Sequence, residues 1–243
     1  MILAIDAGNS RIKWGLHEGG GWRARHVLPT EDAAQLAAAW RQIPVPRAVA
    51  IANVAGASVR AALLAAMPHW NAQVIWATSR AGQCGVRNGY ADPAQLGCDR
   101  WAALIAARAL HDGDCLVVSA GTAMTVDALT RDGEFLGGVI VPGMALMQQA
   151  LANNTAALQV RDGHFQEMPD NTADAIHSGA VQALCGAIER MAAAMAARGL
   201  APLCLLSGGA AQDLVPRLNL PHQLVDNLVL EGLVEIAKDI VRA

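Results

Sequence analysis

The sequence predicts an α/β protein made of two lobes that share one β-β-β-α-β-α-β-α order, and three observations lead to it. First, the run Leu3–Ser10 (Leu-Ala-Ile-Asp-Ala-Gly-Asn-Ser) lies over Leu116–Ala123 (Leu-Val-Val-Ser-Ala-Gly-Thr-Ala), each an apolar strand, then x-Ala-Gly, then a small polar residue. Second, the elements that follow these runs recur in matching order. Third, the composition is 53% hydrophobic but only 4% aromatic, with abundant alanine, so helices pack on a sheet through small side chains rather than around large rings. An Ala-Gly turn alone is common and Ala-rich chains align with themselves readily. A whole ordered series of matched elements is much harder to produce by chance.

In order, Ile2–Ile5 forms the first strand, Asp6–Ser10 the turn, Arg11–His17 the second strand and Trp22–Leu28 the third, after Gly19-Gly20-Gly21. The second half repeats this with Met124–Thr130 and with Glu134–Val141 after Asp132-Gly133, turn chemistry suited to hairpins. A helix capped by Thr30, with Glu31 and Asp32 in its first turn, corresponds to one over residues 143–153. Ala48–Val54 corresponds to Leu203–Ser207, and Val74–Ala77 to Gln223–Asp226, each followed by a helix. The expected lobes are residues 1–114 and 115–243, with a cleft into which both glycine turns point.

Two segments have no counterpart and are candidates for substrate recognition. Residues 79–100 are rich in Gly, Asn, Asp and Pro, carry the single tyrosine, Tyr90, and run into a helix near Asp99-Arg100-Trp101. Residues 172–198 read as a long amphipathic helix, with Ile176, Ala180, Leu184, Ile188 and Met191 at helical spacing. That helix is longer than one small lobe can cover. It is either partly buried against a second subunit or an ordinary core helix.

The formal charge is −3 and the basic residues are scattered, so direct nucleic-acid binding is not expected. Five separated cysteines, Cys84, Cys98, Cys115, Cys185 and Cys204, read as reduced thiols of a cytoplasmic protein. Cys-x-x-Cys, His-x-x-x-His and His-Glu-x-x-His spacings do not occur, and His164 and His177 read as surface or capping residues. The chain starts directly on a strand pattern with no basic leader, and no apolar run reaches membrane-spanning length, so no membrane association is expected.

Neither a P-loop nor a Gly-x-Gly-x-x-Gly after a strand is present. The two turns offer another phosphate cradle: Gly8, Asn9, Ser10, Gly121 and Thr122 can donate hydrogen bonds, Lys13 adds charge, and Asp6 can hold Mg²⁺ through water. Taken singly, Asp6–Ser10 reads equally as a tight turn whose side chains bond their own backbone. Gly208-Gly209-Ala210-Ala211 can admit an adenine or ribose, or be a plain strand-to-helix turn. In Gly97-Cys98-Asp99-Arg100, Asp99 can accept a hydroxyl proton and Arg100 hold a carboxylate; alternatively Asp99 is a helix cap and Arg100 a surface partner. Gly137 and Gly138, inside a strand, predict close approach by a ligand or another backbone.

Six ordered blocks resemble the type III pantothenate kinases of the acetate and sugar kinase, Hsc70 and actin superfamily, some of which are described as Bvg accessory factor. They are Asp6–Ser10, Gly97–Arg100, Gly121–Asp127, Gly137–Gly143, Asn171-Thr172 and Ser207–Gly209. The resemblance implies a duplicated ribonuclease H-like, actin-like ATPase fold. It also implies ATP-dependent phosphorylation of pantothenate to 4′-phosphopantothenate, the first step of coenzyme A biosynthesis, with Mg²⁺ or another divalent cation. ATP contacts carry over to Asp6, Ala7, Gly8, Asn9, Ser10, Arg11, Ile12, Lys13 and Thr122. The general base matches Asp99, and pantothenate contacts match Tyr90, Gly97, Cys98, Asp99, Arg100 and Thr172. Such enzymes are homodimers, which implies that Thr172 reaches the site from the partner chain. Relatives hold K⁺ or NH₄⁺ with an Asp where this chain has Ser119; a hydroxyl adds no charge, so a weakened or differently built cation site is implied. Two other readings stand beside this one: a kinase of the same superfamily acting on another small molecule, and a regulatory accessory protein that keeps the fold.

Overall fold

A computed structural model describes residues 1–154 and 162–242. The chain divides into two compact units. Unit 1 comprises Met1–Leu110, Asp132–Phe135 and the chain from Asn227; unit 2 comprises His111–Arg131 and Leu136–Asp226.

Unit 1 is built on β1 (Ile2–Ala7), β2 (Arg11–Glu18), β3 (Gly21–Pro29), β4 (Ala48–Asn53) and β5 (Gln73–Trp76). The sheet order is β3-β2-β1-β4-β5. β1 pairs antiparallel with β2 and parallel with β4, and β5 adds in parallel to β4. Central β1 and β4 are buried almost throughout, whereas β3 keeps most of its length in solvent, as expected of a strand covered on both faces and of an edge strand respectively. Helices α1 (Leu36–Trp40) and α2 (Ala57–Ala66) follow β3 and β4. A short hairpin, β6 (Gly82–Gln83) and β7 (Val86–Asn88), leads into α3 (Cys98–Leu110).

Unit 2 repeats the plan with β8 (Cys115–Ala120), β9 (Ala123–Leu129), β10 (Glu134–Pro142), β11 (Leu203–Ser207) and β12 (His222–Leu224). These five run in the order β10-β9-β8-β11-β12, that of unit 1 element for element, within a seven-stranded sheet that β7 and β6 extend beyond β10, with β11 parallel to both β8 and β12. Ser119 is the penultimate residue of β8, as Asp6 is of β1. The two halves are thus built on one topology. Helices α4 (Met144–Asn154) and α5 (Thr172–Ala196) precede β11, and the single turn α6 (Ala211–Leu214) follows it. The expected long helix is α5, capped by Asn171, whose side chain accepts from the Asp174 N–H at 3.0 Å.

The final helix, α7 (Leu228–Arg242), packs in unit 1 against α3, β1 and β4, whereas the sequence repeat assigns it to the half beginning at residue 115. Gly232 is the reason the contact is so close: a Cβ there would run into the Ala102 backbone of α3. Two local expectations also differ. Thr30 opens a 3-10 turn, Thr30–Gln35, without capping it. Gly137 has open space around it, so its φ of 125°, a conformation L side chains rarely adopt, accounts for the glycine rather than a close neighbour.

Candidate active site

In unit 1 the Asp6–Ser10 turn is a braced structure. The Gly8 N–H donates to the Arg11 carbonyl at 3.0 Å, closing the turn. Thr30 then holds it from outside: its Oγ1 donates to the Gly8 carbonyl at 2.7 Å and its N–H to the Ser10 carbonyl at 3.1 Å. The hydroxyl read from the sequence as a helix cap therefore supports the turn instead. Asn9, Ser10 and Arg11 are exposed, while the Ala7 and Ile12 side chains lie in the core. Any ligand contact at Ala7 or Ile12 has to come through the backbone.

Asp6 pairs in register with Lys13 across β1 and β2. Burial pushes its carboxyl up to about 6, with the nearby Asp99 carboxylate adding to the rise. Lys13 and a hydrogen bond from the Asn227 side chain pull the other way. Asn227 is buried at the start of α7 and its Oδ1 accepts from the Leu230 N–H at 3.0 Å. Sequence reasoning missed Asn227: its place before an apolar helix marks a cap, but nothing local says that it faces Asp6.

Asp99 lies in the first turn of α3 and its Oδ1 accepts from the Arg100 N–H at 2.8 Å. This fold-back needs Gly97, because a Cβ there would meet Asp99 Oδ1 at 2.6 Å. Ser79 Oγ donates to the Leu96 carbonyl at 2.7 Å and so closes the segment that delivers Gly97–Arg100. Cys98 bonds the Asn53 carbonyl at 3.7 Å, and burial raises its thiol. Arg100 is not a surface residue. It is 6% exposed, and its guanidinium lies 5.8 Å from the Tyr90 ring centre and 5.9 Å from that of Phe135. Unit 1 thereby brings together Asp6, Lys13, Asn227 and Asp99, with Arg100 the next residue along and Tyr90 beside it.

The other expected residues belong to unit 2. The Gly121 N–H donates to the Ala123 carbonyl at 3.2 Å, and the Thr122 carbonyl accepts from Gly143 at 2.8 Å, so the second turn is closed like the first. Gly208, at φ 104°, packs where a Cβ would strike the Ala120 backbone, and Ala210 donates to the Ala120 carbonyl at 3.2 Å. Thr172 is the first residue of α5, exposed on a groove of about 940 Å³ that α4 and α5 line with Leu146, Met147, Leu151 and Ile176.

As to a divalent cation, one partly desolvated carboxylate with a second close by suits an ion that binds few carboxylates and keeps its waters. The donor set therefore fits. Among the described residues no helix is long and apolar enough to cross a membrane.

Two sheets that share one five-strand order, each with a closed glycine turn after its central strand, define the fold of the actin-like ATPases and sugar kinases. Solved structures agree on that fold. A protein described as a Baf family transcriptional activator from Campylobacter jejuni superposes with a TM-score of 0.65 at 20% identity, over 99% of this chain and all of that one. A protein described as a 2-dehydro-3-deoxygalactonokinase from Sinorhizobium meliloti gives 0.60 at 17% identity, over 99% of each chain. Sequence comparison is more specific. The model of the type III pantothenate kinase family matches residues 2–194. Type III pantothenate kinases of Nitrosospira multiformis and Aromatoleum aromaticum are 52% and 51% identical, over 98% of this chain and 92% and 98% of theirs. The chain belongs to the type III pantothenate kinase family. Its reaction is the ATP-dependent phosphorylation of pantothenate in coenzyme A biosynthesis.

Proposed function

We propose that the unit 1 cluster is the chemical centre of this kinase, with Asp99 as the base that takes the proton of the pantothenate hydroxyl. The observation carrying this reading is that the Asp99 carboxylate, from an unrelated element, lies close enough to Asp6 to help raise it, while Arg100 is buried beside Tyr90. A buried carboxylate raised by a neighbouring acid needs cationic company to ionise. Lys13 and a divalent cation supply it.

In this reading Gly8, Asn9, Ser10 and Lys13 bind the ATP phosphates, with Ala7, Arg11 and Ile12 completing the run and Thr122 adding a contact from the second turn. Asp6 holds Mg²⁺ through water. When bound, that ion offsets phosphate charge and orients the transferred group. Arg100 and Tyr90 receive the pantothenate carboxylate, and Gly97 and Cys98 shape the wall beside Asp99. Positioning and electrostatics carry most of the rate enhancement in phosphoryl transfer.

Thr172 contacts pantothenate from a partner subunit in a homodimer. The apolar groove at the start of α5, with Leu146 and Leu151 exposed along it, supports such an interface. Ser119 provides a hydroxyl where the charged ligand of a K⁺ or NH₄⁺ ion would stand, so dependence on a monovalent cation is weak. The protein acts in the cytoplasm, without nucleic acid or membrane.

The decisive test is Asp99→Asn. Losing the base lowers kcat by about 100-fold or more, with melting temperature unchanged and ADP release in the wild type strictly dependent on pantothenate. Near-normal turnover in the folded variant removes Asp99 from the chemistry.

A further inference from the structure

Phe135 ends the short stretch, Asp132–Phe135, by which the chain beyond β9 joins unit 1. It is fully buried, and its backbone pairs with Asn88 where β10 runs parallel to β7. Asn88 in turn orders the neighbouring loop: its Oδ1 accepts from the Tyr90 N–H at 3.0 Å and its Nδ2 donates to the Pro93 carbonyl at 3.2 Å. Asn88 thus places both rings, which meet at 5.2 Å between centres and 44° between planes. The Arg100 guanidinium lies within 6 Å of each, 5.8 and 5.9 Å from the centroids.

A guanidinium over an aromatic face is attracted by the ring quadrupole. Such contacts engage the face of the guanidinium, whereas a carboxylate is recognised by N–H donors in its plane. They do restrict where the guanidinium can go. Arg carries a large rotamer entropy, and fixing it before the substrate arrives removes that cost from binding.

We propose that Phe135 is a positioning and specificity-determining residue for the kinase reaction: with Tyr90 it holds the Arg100 guanidinium ready for the carboxylate of the acceptor, so that acids are preferred over neutral alcohols. This rests on the reading that Arg100 receives the pantothenate carboxylate. Phe135 touches no reacting atom and acts only through Arg100 and Tyr90.

The test compares pantothenate with its neutral alcohol analogue, in which CH₂OH replaces the carboxylate, as acceptors for the full-length enzyme with MgATP. Phe135→Leu and, should that variant not fold, Phe135→Met keep apolar bulk and remove the ring; Arg100→Gln serves as reference. Each is checked by its melting curve. The expected result is a fall of about 5- to 10-fold in the ratio of kcat/KM for acid over alcohol, carried by KM for pantothenate, with kcat and KM for ATP within two-fold of wild type. An unchanged ratio in the folded Phe135 variant, while Arg100→Gln collapses it, overturns the inference alone. An unchanged ratio in Arg100→Gln overturns the carboxylate reading, and the inference with it.

Discussion

Replacing Asp6 by Asn should make the protein more stable and less active, and the size of both effects follows from the site. The Asp6 carboxyl sits at about 6 in the folded chain against an ordinary 3.8. A group whose folded value is raised favours the native state while protonated and loses that advantage as pH rises through the folded value. Above pH 6 the full difference applies: about two pH units, or about 3 kcal/mol of destabilisation. Asp6 keeps some solvent contact and Lys13 would lose its partner, so roughly half to all of this is recoverable. Asn is isosteric and can still accept from Asn227. For a chain of this size the melting temperature rises by about 3 to 10 °C at pH 8, and the gap to wild type about halves by pH 5, where Asp6 is mostly protonated in the native state. Turnover with a divalent cation falls by about 100-fold or more, because an amide cannot supply the carboxylate's charge. Thermal unfolding of both proteins at pH 8 and pH 5, with steady-state kinetics at pH 8, measures all of this. A variant no more stable than wild type at pH 8, or a gap that ignores pH, refutes the argument.

Thr30→Val removes the hydroxyl that donates to the Gly8 carbonyl while keeping shape; about 1 kcal/mol of turn stabilisation is lost, and KM for ATP rises several-fold, whereas Thr30→Ser stays near wild type. Asp114 is a structural acid in unit 2. Its side chain is wholly buried, accepting from the Arg131 N–H at 2.9 Å and the Ala201 N–H at 3.2 Å. Burial alone would raise this carboxyl, but those donors outweigh it and hold it below the ordinary value. Its contribution is therefore present above about pH 4 and lost as acid protonates it. Asp114→Ala strands both N–H groups and costs about 2 to 4 kcal/mol, read as a lower melting temperature with KM for pantothenate unchanged.

Much of the architecture was legible because it rests on local signals used twice. An apolar tetrad, a glycine turn and a polar-apolar alternation specify a hairpin wherever they occur, and the repeat of the series fixed one sheet order for both halves. The placement of α7 was not legible. Its apolar face says that it must pack, but which sheet it covers depends on Gly232 meeting Ala102, a long-range contact. Within the site, Asp6 and Asp99 were visible as carboxylates ending a strand and starting a helix. Arg100 was ambiguous from spacing, although the unbroken apolar run Trp101–Ala107 signals a helix buried all round, which argues against a surface arginine. Thr30, Asn227 and Phe135 are ordinary in sequence; their roles come from what the fold brings to them.

The return of α7 to unit 1 bears on how the protein is made. Trp22 of β3 donates its indole N–H to Glu231 at 2.6 Å, across 209 residues of chain. During synthesis, the first sheet therefore waits until every strand of unit 2 has been made before one of its covering helices exists. A nascent chain halted before residue 227 would present the β1 and β4 surface that α7 should cover, and would lack the asparagine that steadies Asp6. Helix α7 is thus made after every strand of both sheets, and the asparagine beside Asp6 comes with it.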